Sequence, residues 1–418
     1  MVQVEILYFI FSKLEIDIQP CNQYLLLDKS RLAFYVDIPE RFVPENYFSA
    51  KLFEYCEVRL NHITINNKTS DNDYHLTTYF LTRINFDEST LKTTGSLDGY
   101  WSWRNYDSDT LLTQQSNAKE SINSHFEVNL RRANVRDITI DSQKYKRYYF
   151  ICRLNCGLAM TSRPIPKDVP IKLIFYRAEA SKSLLSTIED KANDEPFPTR
   201  TIPIKDPQFI ACMTKSDYYD KKYASYRLPK LDFPFIQPSV RRELLNKGLD
   251  QFKIRISDGP LPIALGLAIM TTEGFTGDIR KSSTNFKMHN LDWLDIQINS
   301  RSVSGYPLHQ RNELGYEFYY KFLRECNFLD NHLSSGSMDL TSFQDCNFIV
   351  IENFKRKNLF NGQLTVNLKF TKVLTENLYL VLLPITQKKV NFDEHLNVTL
   401  SDMRPDDAEE AVNDFDEK

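Results

Sequence analysis

One pattern of apolar and polar positions occurs twice in this chain, at residues 53–84 and again at residues 291–322, 238 positions later. Each copy opens with alternating apolar and polar residues, which is the pattern of a half-buried strand. A polar stretch follows, in which Asn61 of the first copy aligns with Asn299 of the second. Each copy closes with apolar residues at every fourth position, which indicates one face of a helix. The equal spacing predicts a strand, a turn and a helix in each of two related domains.

The apolar positions of the two copies also correspond. The aligned pairs are Val58 with Ile296, Leu60 with Ile298, Leu76 with Leu314, Phe80 with Phe318 and Ile84 with Phe322. Because the same side-chain type recurs at each position of the strand and of the helix, we expect the two units to bury the same faces.

Further strands are predicted outside the repeat. The chain is rich in strand-forming aromatic residues, with 22 Tyr and 28 Phe. The strand candidates are residues 6–11, 24–38, 126–130, 148–158, 169–178, 252–256, 261–270, 348–352, 364–370 and 377–385. Between them, Ser239 is a candidate N-cap and Gly248 a candidate C′ residue of a short helix. About eight strands per half, without regular crossover helices, predict a mainly β fold of two tandem jelly-roll β-sandwiches (a double jelly roll) with short helices and long loops.

The hydrophobic pattern also suggests domain limits. It is lost over residues 181–200, where charge increases, so we expect a first jelly roll at residues 1–190 and a second at residues 191–400. The first contains a long insertion at about residues 85–145, which is either disordered or functional. Residues 401–418 hold eight acidic and two basic residues, which predicts an acidic, disordered tail or a docking peptide for a basic partner.

Composition and charge narrow the function classes. A net charge of −3 with 26% charged residues argues against a basic nucleic-acid binder. The apolar residues 6–11 are too short for a secretory leader, and no stretch approaches the roughly 20 apolar residues of a transmembrane helix. Seven scattered cysteines, an odd number, suggest reduced thiols in an intracellular setting.

Motifs that carry catalytic or metal chemistry are mostly absent. There is no phosphate-binding glycine loop of the GxxxxGK[ST] type and no GxSxG nucleophile elbow. Cys152 and Cys156 lack the second Cys or His pair that a zinc site needs, so we interpret them as buried structural thiols. Asp292 and Asp295 flank Trp293 on a predicted strand, which resembles a sugar-contacting surface but has no second supporting feature. We therefore expect no enzyme activity, no catalytic residue, no cofactor and no metal site.

Two tryptophans in the insertion are the best candidates for contact with another subunit. Trp101 and Trp103 alternate along the chain, so an extended segment would place both indoles on one face. Such a pair could anchor a partner subunit as an interface hot spot. The alternative is a loop that folds back onto its own sandwich.

Several segments resemble a known family. They are residues 286–299, 306–308, 315–320, 361–370 and 377–383 in the second half, and, more loosely, residues 52–61 and 169–177 in the first. In this order they resemble the major capsid proteins of Polinton/Maverick elements and adintoviruses, which are double jelly-roll proteins of double-stranded DNA viruses. The patterns are positional and spread over most of the chain.

The resemblance implies that each chain carries two upright jelly rolls and that three chains form a pseudo-hexagonal capsomer of an icosahedral capsid around a double-stranded DNA genome. A closed trimer of a duplicated domain presents six similar units, which suits such a lattice. The expected partners are two further copies, neighbouring capsomers and a penton or minor capsid protein, with DNA contacted only indirectly. The expected location is the virion capsid, made and assembled inside the host cell, in the cytoplasm or nucleus. Two alternatives stay open: a tandem β-sandwich carbohydrate- or protein-binding module, and a host-retained descendant outside any virion.

Overall fold

The structure is a computed structural model in which strands dominate and helices are short. It describes residues 4–5, 9–10, 12–19, 23–66, 73–100, 136–161, 163–186, 199–215, 231–279, 281–310, 315–326, 328–329, 336–393 and 397–402.

The first half contains fourteen strands and three α-helices in its described ranges. The strands are β1 (Val4–Glu5), β2 (Phe9–Ile10), β3 (Lys13–Ile18), β4 (Tyr24–Leu25), β5 (Arg31–Pro39), β6 (Phe42–Pro44), β7 (Phe53–Leu60), β8 (Ile63–Thr64), β9 (Arg136–Ile140), β10 (Gln143–Arg153), β11 (Ile171–Arg177), β12 (Leu184–Ser186), β13 (Ile204–Ile210) and β14 (Met213–Thr214). The helices are α1 (Phe48–Lys51), α2 (Asp73–Asn85) and α3 (Glu88–Thr93).

The second half continues with eleven strands and three α-helices in its described ranges. The strands are β15 (Leu231–Pro238), β16 (Arg241–Leu245), β17 (Gln251–Pro260), β18 (Ala264–Thr271), β19 (Leu291–Ile298), β20 (Arg301–Ser302), β21 (Leu308–His309), β22 (Val350–Asn353), β23 (Asn361–Phe370), β24 (Leu378–Phe392) and β25 (Val398–Asp402). The helices are α4 (Thr272–Thr276), α5 (Tyr316–Glu325) and α6 (Leu340–Asp345).

Strand order in the second half is that of a jelly roll. β15 and β16 pair with successive parts of β24 and count as one strand, and β20 and β21 both pair with β19. The sheets then run β15/β16–β24–β18–β22 and β17–β23–β19–β20/β21. In order along the chain this is 1-8-3-6 in one sheet and 2-7-4-5 in the other, the arrangement produced by two interlocked Greek keys.

The first half repeats this order at seven of the eight positions: among the described residues no strand lies beyond β13, and β9 is added beyond β10. One sheet runs β3–β11–β7–β8 and the other β13–β5–β10–β9, so β5, β7, β10, β11 and β13 take the positions of β18, β19, β22, β23 and β24. The duplicated topology explains why one sequence pattern occurs twice. The predicted domain limit near residue 190 stays a prediction. Because β13 pairs with β5 and β14 with β4, strand pairing supports a later division, between β14 and β15.

The repeated strand, turn and helix are confirmed in both halves. β7 and β19 each end in a two-residue turn with both φ angles positive, Asn61 (45°) with His62 (73°) and Asn299 (50°) with Ser300 (64°). Two consecutive positive φ angles are the signature of a type I′ turn, which matches the twist of the strands it joins and favours Asn at its first position. The helix of the repeat is α2 in the first half and α5 in the second.

The helix predicted between Ser239 and Gly248 is wrong. Residues 241–245 form β16, an edge strand that pairs with β24 in antiparallel register from Arg241–Leu382 to Leu245–Leu378. The local sequence suits a helix, but the backbone groups of β24 along this edge are satisfied by a strand, and this tertiary pairing overrides the local preference. Gly248 lies in the turn after the strand, where its φ is 85° and its amide donates to the Leu374 carbonyl at 2.8 Å.

Each of the two hydrophobic cores takes residues from the other half. The first core includes Phe233 and Phe235 of β15 and Phe392 of β24. The second includes Leu76, Tyr79, Phe80 and Leu81 of α2. Because each half completes the core of the other, separating them would expose apolar surface on both sides.

Candidate functional site at the junction of the two jelly rolls

A fully buried ion pair lies where the two halves meet. Lys51, at the end of α1, is 0% exposed, and Glu45, just after β6, is 1% exposed. The Lys51 ammonium donates to Glu45 Oε2 and, at 3.0 Å, to the hydroxyl of Thr284 in the second half. A buried charge is tolerated only when it is paired and hydrogen-bonded. The hydrogen bond to the Thr284 hydroxyl therefore links the lysine of the first half to the second half.

The second half surrounds the Glu45 carboxylate with donors. Oε2 accepts from the Ser283 amide at 3.0 Å, the Ser283 hydroxyl at 3.2 Å and the Ser282 hydroxyl at 3.2 Å. The same Ser283 hydroxyl lies 3.2 Å from the Lys182 carbonyl oxygen of the first half, to which it can also donate. The segment 282–284 therefore supplies the polar partners that make burial of this carboxylate possible.

A second polar contact joins α2 to the segment before β22. Arg83 is 3% exposed and donates to the Ser337 carbonyl and to Asn347 Oδ1, both at 2.9 Å. The guanidinium carbon lies 5.4 Å from the ring centres of Tyr79 and Tyr100, within the range of cation–π attraction. The planar, forked guanidinium thus bonds the second half while aromatic rings of the first half hold it in place.

The apolar part of the junction is helix α2 lying against the outer face of a sheet. The Phe80 ring covers Gly266 of β18 so closely that a Cβ at Gly266 would lie 2.9 Å from Phe80 Cδ1 and 3.4 Å from Leu383 Cβ. Next to it, the Tyr79 ring is 4.9 Å from that of Phe286. Only glycine lets the phenyl ring approach the strand this closely, since any side chain would displace it. As a result, residues 74–83 of α2 are all buried.

One titratable side chain is buried in this region without hydrogen bonds. His75 of α2 is 1% exposed, and neither ring nitrogen has a hydrogen-bond partner among the described residues. Burial lowers the pKa of His75 well below its usual value, and the positive charges of Lys51 and Lys182 lower it further. The imidazole is therefore neutral in the folded protein at physiological pH.

Exposed aromatic and apolar residues also occur at two places away from the junction. Tyr306, Tyr316 and Tyr320 are 58%, 54% and 58% exposed on α5 and the loop beside it. Ile151 of β10 is 41% exposed on the outer face of the first-half sheet. Exposed apolar and aromatic side chains that lie next to one another, as the three tyrosines do, are candidates for protein–protein contacts.

The predicted subunit-contact residues Trp101 and Trp103 lie outside the described residues, as do the strand predicted at residues 126–130 and most of the predicted acidic tail. Of that tail, Ser401 and Asp402 belong to β25, which pairs with β24.

The other residues singled out from the sequence do not come together in one place. Cys152 and Cys156 are both buried, as predicted, and burial raises the pKa of the Cys152 thiol. Asp292 lies 3.9 Å from the Lys369 ammonium, whereas Asp295 accepts a hydrogen bond from the Gln297 amide at 2.6 Å. The two carboxylates thus have separate partners.

The described part of the chain contains neither a metal-binding cluster nor a helix able to span a membrane. No group of three or more His, Cys, Asp or Glu side chains among those residues is placed to hold a metal ion. None of the helices described combines the length and the apolar character that a membrane crossing requires.

Sequence reasoning missed the junction residues altogether. Glu45, Lys51, His75 and Arg83 occur in mixed stretches where charged side chains would ordinarily face solvent. Their partners are more than 230 positions away for Lys51 and Arg83, at Thr284 and in residues 337–347. No local pattern could have identified them.

Comparison with known proteins gives matches among solved structures. No protein-family model and no curated protein sequence matches the chain. A 3.5 Å cryo-EM structure of the Sputnik virophage matches with a TM-score of 0.66 and 10% identity, over 96% of this chain and 88% of that chain. The PBCV-1 virus capsid matches with a TM-score of 0.55 and 11% identity, over 96% of both chains. The crystal structure of the mavirus major capsid protein matches with a TM-score of 0.54 and 10% identity, over 95% of this chain and 88% of that chain.

The mavirus match is a major capsid protein and the PBCV-1 match is a virus capsid, and each of the three matches covers 95–96% of this chain, which includes both halves. Together with the duplicated strand order, they establish the fold predicted from the sequence: the chain is a mainly β double jelly roll.

Proposed function

We propose that this protein is a structural subunit of an icosahedral capsid, and that three copies form a pseudo-hexagonal capsomer of a shell that encloses a double-stranded DNA genome. The observation that carries the proposal is the double jelly roll that matches virophage and PBCV-1 capsid structures over 95–96% of this chain. Since a fold by itself hosts many functions, the proposal needs a test on the protein itself.

The junction supports this role. A capsomer with six similar units requires that the two jelly rolls of each chain keep one fixed relationship, because a hinge between them would spoil the lattice spacing. The buried ion pair of Glu45 with Lys51, the Arg83 contacts and the shared cores tie the halves together in this way. We assign no catalytic role to the chain.

The finer identity is also a proposal. The segments 286–299 and 361–370 resemble the major capsid proteins of Polinton/Maverick elements and adintoviruses, so we propose a relative of that group. We further propose a penton or minor capsid protein as partner, assembly inside the host cell and incorporation into the virion capsid. Trp101 and Trp103 stay candidates for subunit contacts.

The decisive experiment is to purify the full chain and determine its mass in solution and its outline by negative-stain electron microscopy. We expect a mass three times that of one chain and hexagonal particles. A monomer at micromolar concentration would contradict the capsomer proposal. A monomer that also bound glycans on an array would favour the tandem binding module instead.

A further inference from the structure

The outer face of equivalent sheets in the two jelly rolls differs in how far it is buried. On the outer face of the second-half sheet, Gly266 of β18 lies directly between Ile351 of β22 and Leu383 of β24. Ile351 is 2% exposed and Leu383 is 0% exposed, and the Phe80 ring of α2 lies against Gly266 in the middle of this row. The first half therefore covers this face of the second.

The matching row of the first-half sheet is open. Ala33 of β5 lies between Ile151 of β10 and Gln208 of β13, in the same strand positions and on the same outward face. Ile151 is 41% exposed. Beside this row the rings of Tyr35 and Tyr149 are 5.5 Å apart. Ala33 is small, as Gly266 is, and its neighbours are Ile151 on one side, the polar Gln208 on the other and the two tyrosines beside them.

The helices of the repeat show the complementary difference. α2 is buried along residues 74–83, whereas α5 keeps one face in solvent, with Tyr316 and Tyr320 one turn apart. The loop that carries Tyr306 is fastened beside this helix at both ends. The Lys321 ammonium donates to the Ser304 hydroxyl at 3.0 Å, and the His309 amide donates to Glu317 Oε2 at 2.9 Å.

We infer that α5 of one copy, with Tyr316, Tyr320 and the neighbouring Tyr306, docks on the outer sheet face that Ala33 and Ile151 form in a second copy of this chain. The contact between copies then corresponds to the contact within each chain, where α2 docks on the outer face of the second-half sheet, although a different face of the helix is used. The inference rests on the proposed function and adds to it the two surfaces that build the trimer.

Three physical reasons support this occupant. A helix face and a sheet face are different surfaces on one chain, and such a head-to-tail contact closes into a ring when the rotation between copies permits. Six jelly rolls in a ring need six junctions, and three of them are already formed within the chains by α2. Tyrosines are also among the commonest hot-spot residues, since a large ring is buried at small conformational cost.

The contact within the chain and the contact between copies do not use the same face of the helix. Phe318 and Phe322, which align with Phe80 and Ile84, are 0% exposed in their own core. The face left free on α5 is the one that carries Tyr316 and Tyr320. The sheet face of the neighbouring copy therefore receives tyrosines where the sheet within the chain receives a phenylalanine.

The first test measures the mass of the full chain in solution by light scattering after size exclusion. The variants are Tyr316→Asp with Tyr320→Asp on the helix, and Ile151→Asp on the sheet. The matched control is Val373→Asp, at a loop residue of the second half that is 57% exposed and belongs to neither surface. We expect trimers for the wild type and the control. We expect association to weaken by roughly 30-fold or more for each hot-spot residue lost, which leaves monomers at micromolar concentration.

The outcomes separate the two proposals. Trimers in all variants would overturn the docking surfaces and leave the capsomer proposal standing. A monomeric wild type would overturn both. Circular dichroism identifies a variant that does not fold. If that happens, a second measurement, which does not use that variant, tests the docking surfaces.

The second measurement joins the two surfaces covalently. Chains with Ile151→Cys and chains with Tyr320→Cys are co-expressed and oxidised, and products are compared on a non-reducing gel with each single variant and with a Val373→Cys control. We expect a linked dimer only in the mixture, and linked trimers when both substitutions are in one chain. A disulfide requires Cα atoms within about 7 Å, so neighbouring pairs such as 149 with 316 are tested in the same way. The absence of linked chains from every pair in a trimeric protein would refute the docking geometry.

Discussion

Replacing Lys51 by methionine tests how the two jelly rolls are held together. Methionine keeps the length and apolar stem of lysine but removes the charge that faces Glu45. The carboxylate would stay buried, at 1% exposure, without a cation beside it, although the Ser282 hydroxyl and the Ser283 amide and hydroxyl still donate to it. Breaking a buried ion pair from one side typically costs about 3–5 kcal/mol, so we expect the free energy of unfolding to fall by that amount.

The double variant supplies the internal control. With Glu45→Gln added to Lys51→Met no buried charge is left unpaired at this site, and the side-chain carbonyl oxygen of the glutamine can still accept from Ser283. We expect the double variant to lose less than about 2 kcal/mol, well below the sum of the two single losses, because the two positions are directly coupled. The pair of Lys13 with Glu15, with side chains 34% and 12% exposed, is the surface reference, and Lys13→Met should cost less than about 1 kcal/mol.

The assay is urea unfolding of the purified full chain, followed by near-UV circular dichroism and by intrinsic fluorescence, at one protein concentration because oligomerisation adds to stability. Coincident transitions from the two probes would show that the halves unfold together. A loss below about 1 kcal/mol in Lys51→Met, or equal losses in the single and double variants, would refute the assignment of the ion pair as a structural tie.

Three further outcomes are expected. Gly266→Val places a side chain against the Phe80 ring, so the urea midpoint should fall by an amount equivalent to about 1–3 kcal/mol. Adding Phe80→Leu should restore part of this loss. An unchanged midpoint in Gly266→Val would mean that the ring is free to move. Burial, and then the nearby lysines, lower the pKa of His75 in the folded protein, so the unfolded chain binds a proton near pH 6.5 that the folded chain does not. The free energy of unfolding should therefore be fully present above about pH 6.5 and decrease below it by up to about 1.4 kcal/mol per pH unit. His75→Leu should remove this slope in urea unfolding measured from pH 5 to 8. Cys56 and Cys152 are buried, and burial raises the pKa of both thiols. Mass mapping after iodoacetamide treatment at pH 7.5 should therefore find both cysteines unmodified in the native protein and modified in urea. Labelling in the native state would show that the core opens.

Local sequence patterns were sufficient to predict those elements whose conformation is determined by residues within the element itself. The alternation along β7 and β19, and the asparagine that starts each turn, are determined by neighbours within a few positions, so the repeat could be predicted in detail. The helix at 239–248 failed because an edge strand is selected by its partner, and β24 lies more than 130 positions away.

The sequence by itself determined that this is a duplicated, mainly β chain, since strand periodicity, type I′ turn residues and amphipathic helices are encoded locally. Only the tertiary structure decided that β13 belongs with β5, that α2 lies across the sheet of the other half, and that Lys51 and Glu45 are buried together. Burial of a charge depends on donors that arrive from distant parts of the chain. The sequence lists these donors, but the packing of two jelly rolls against each other brings them within hydrogen-bond distance.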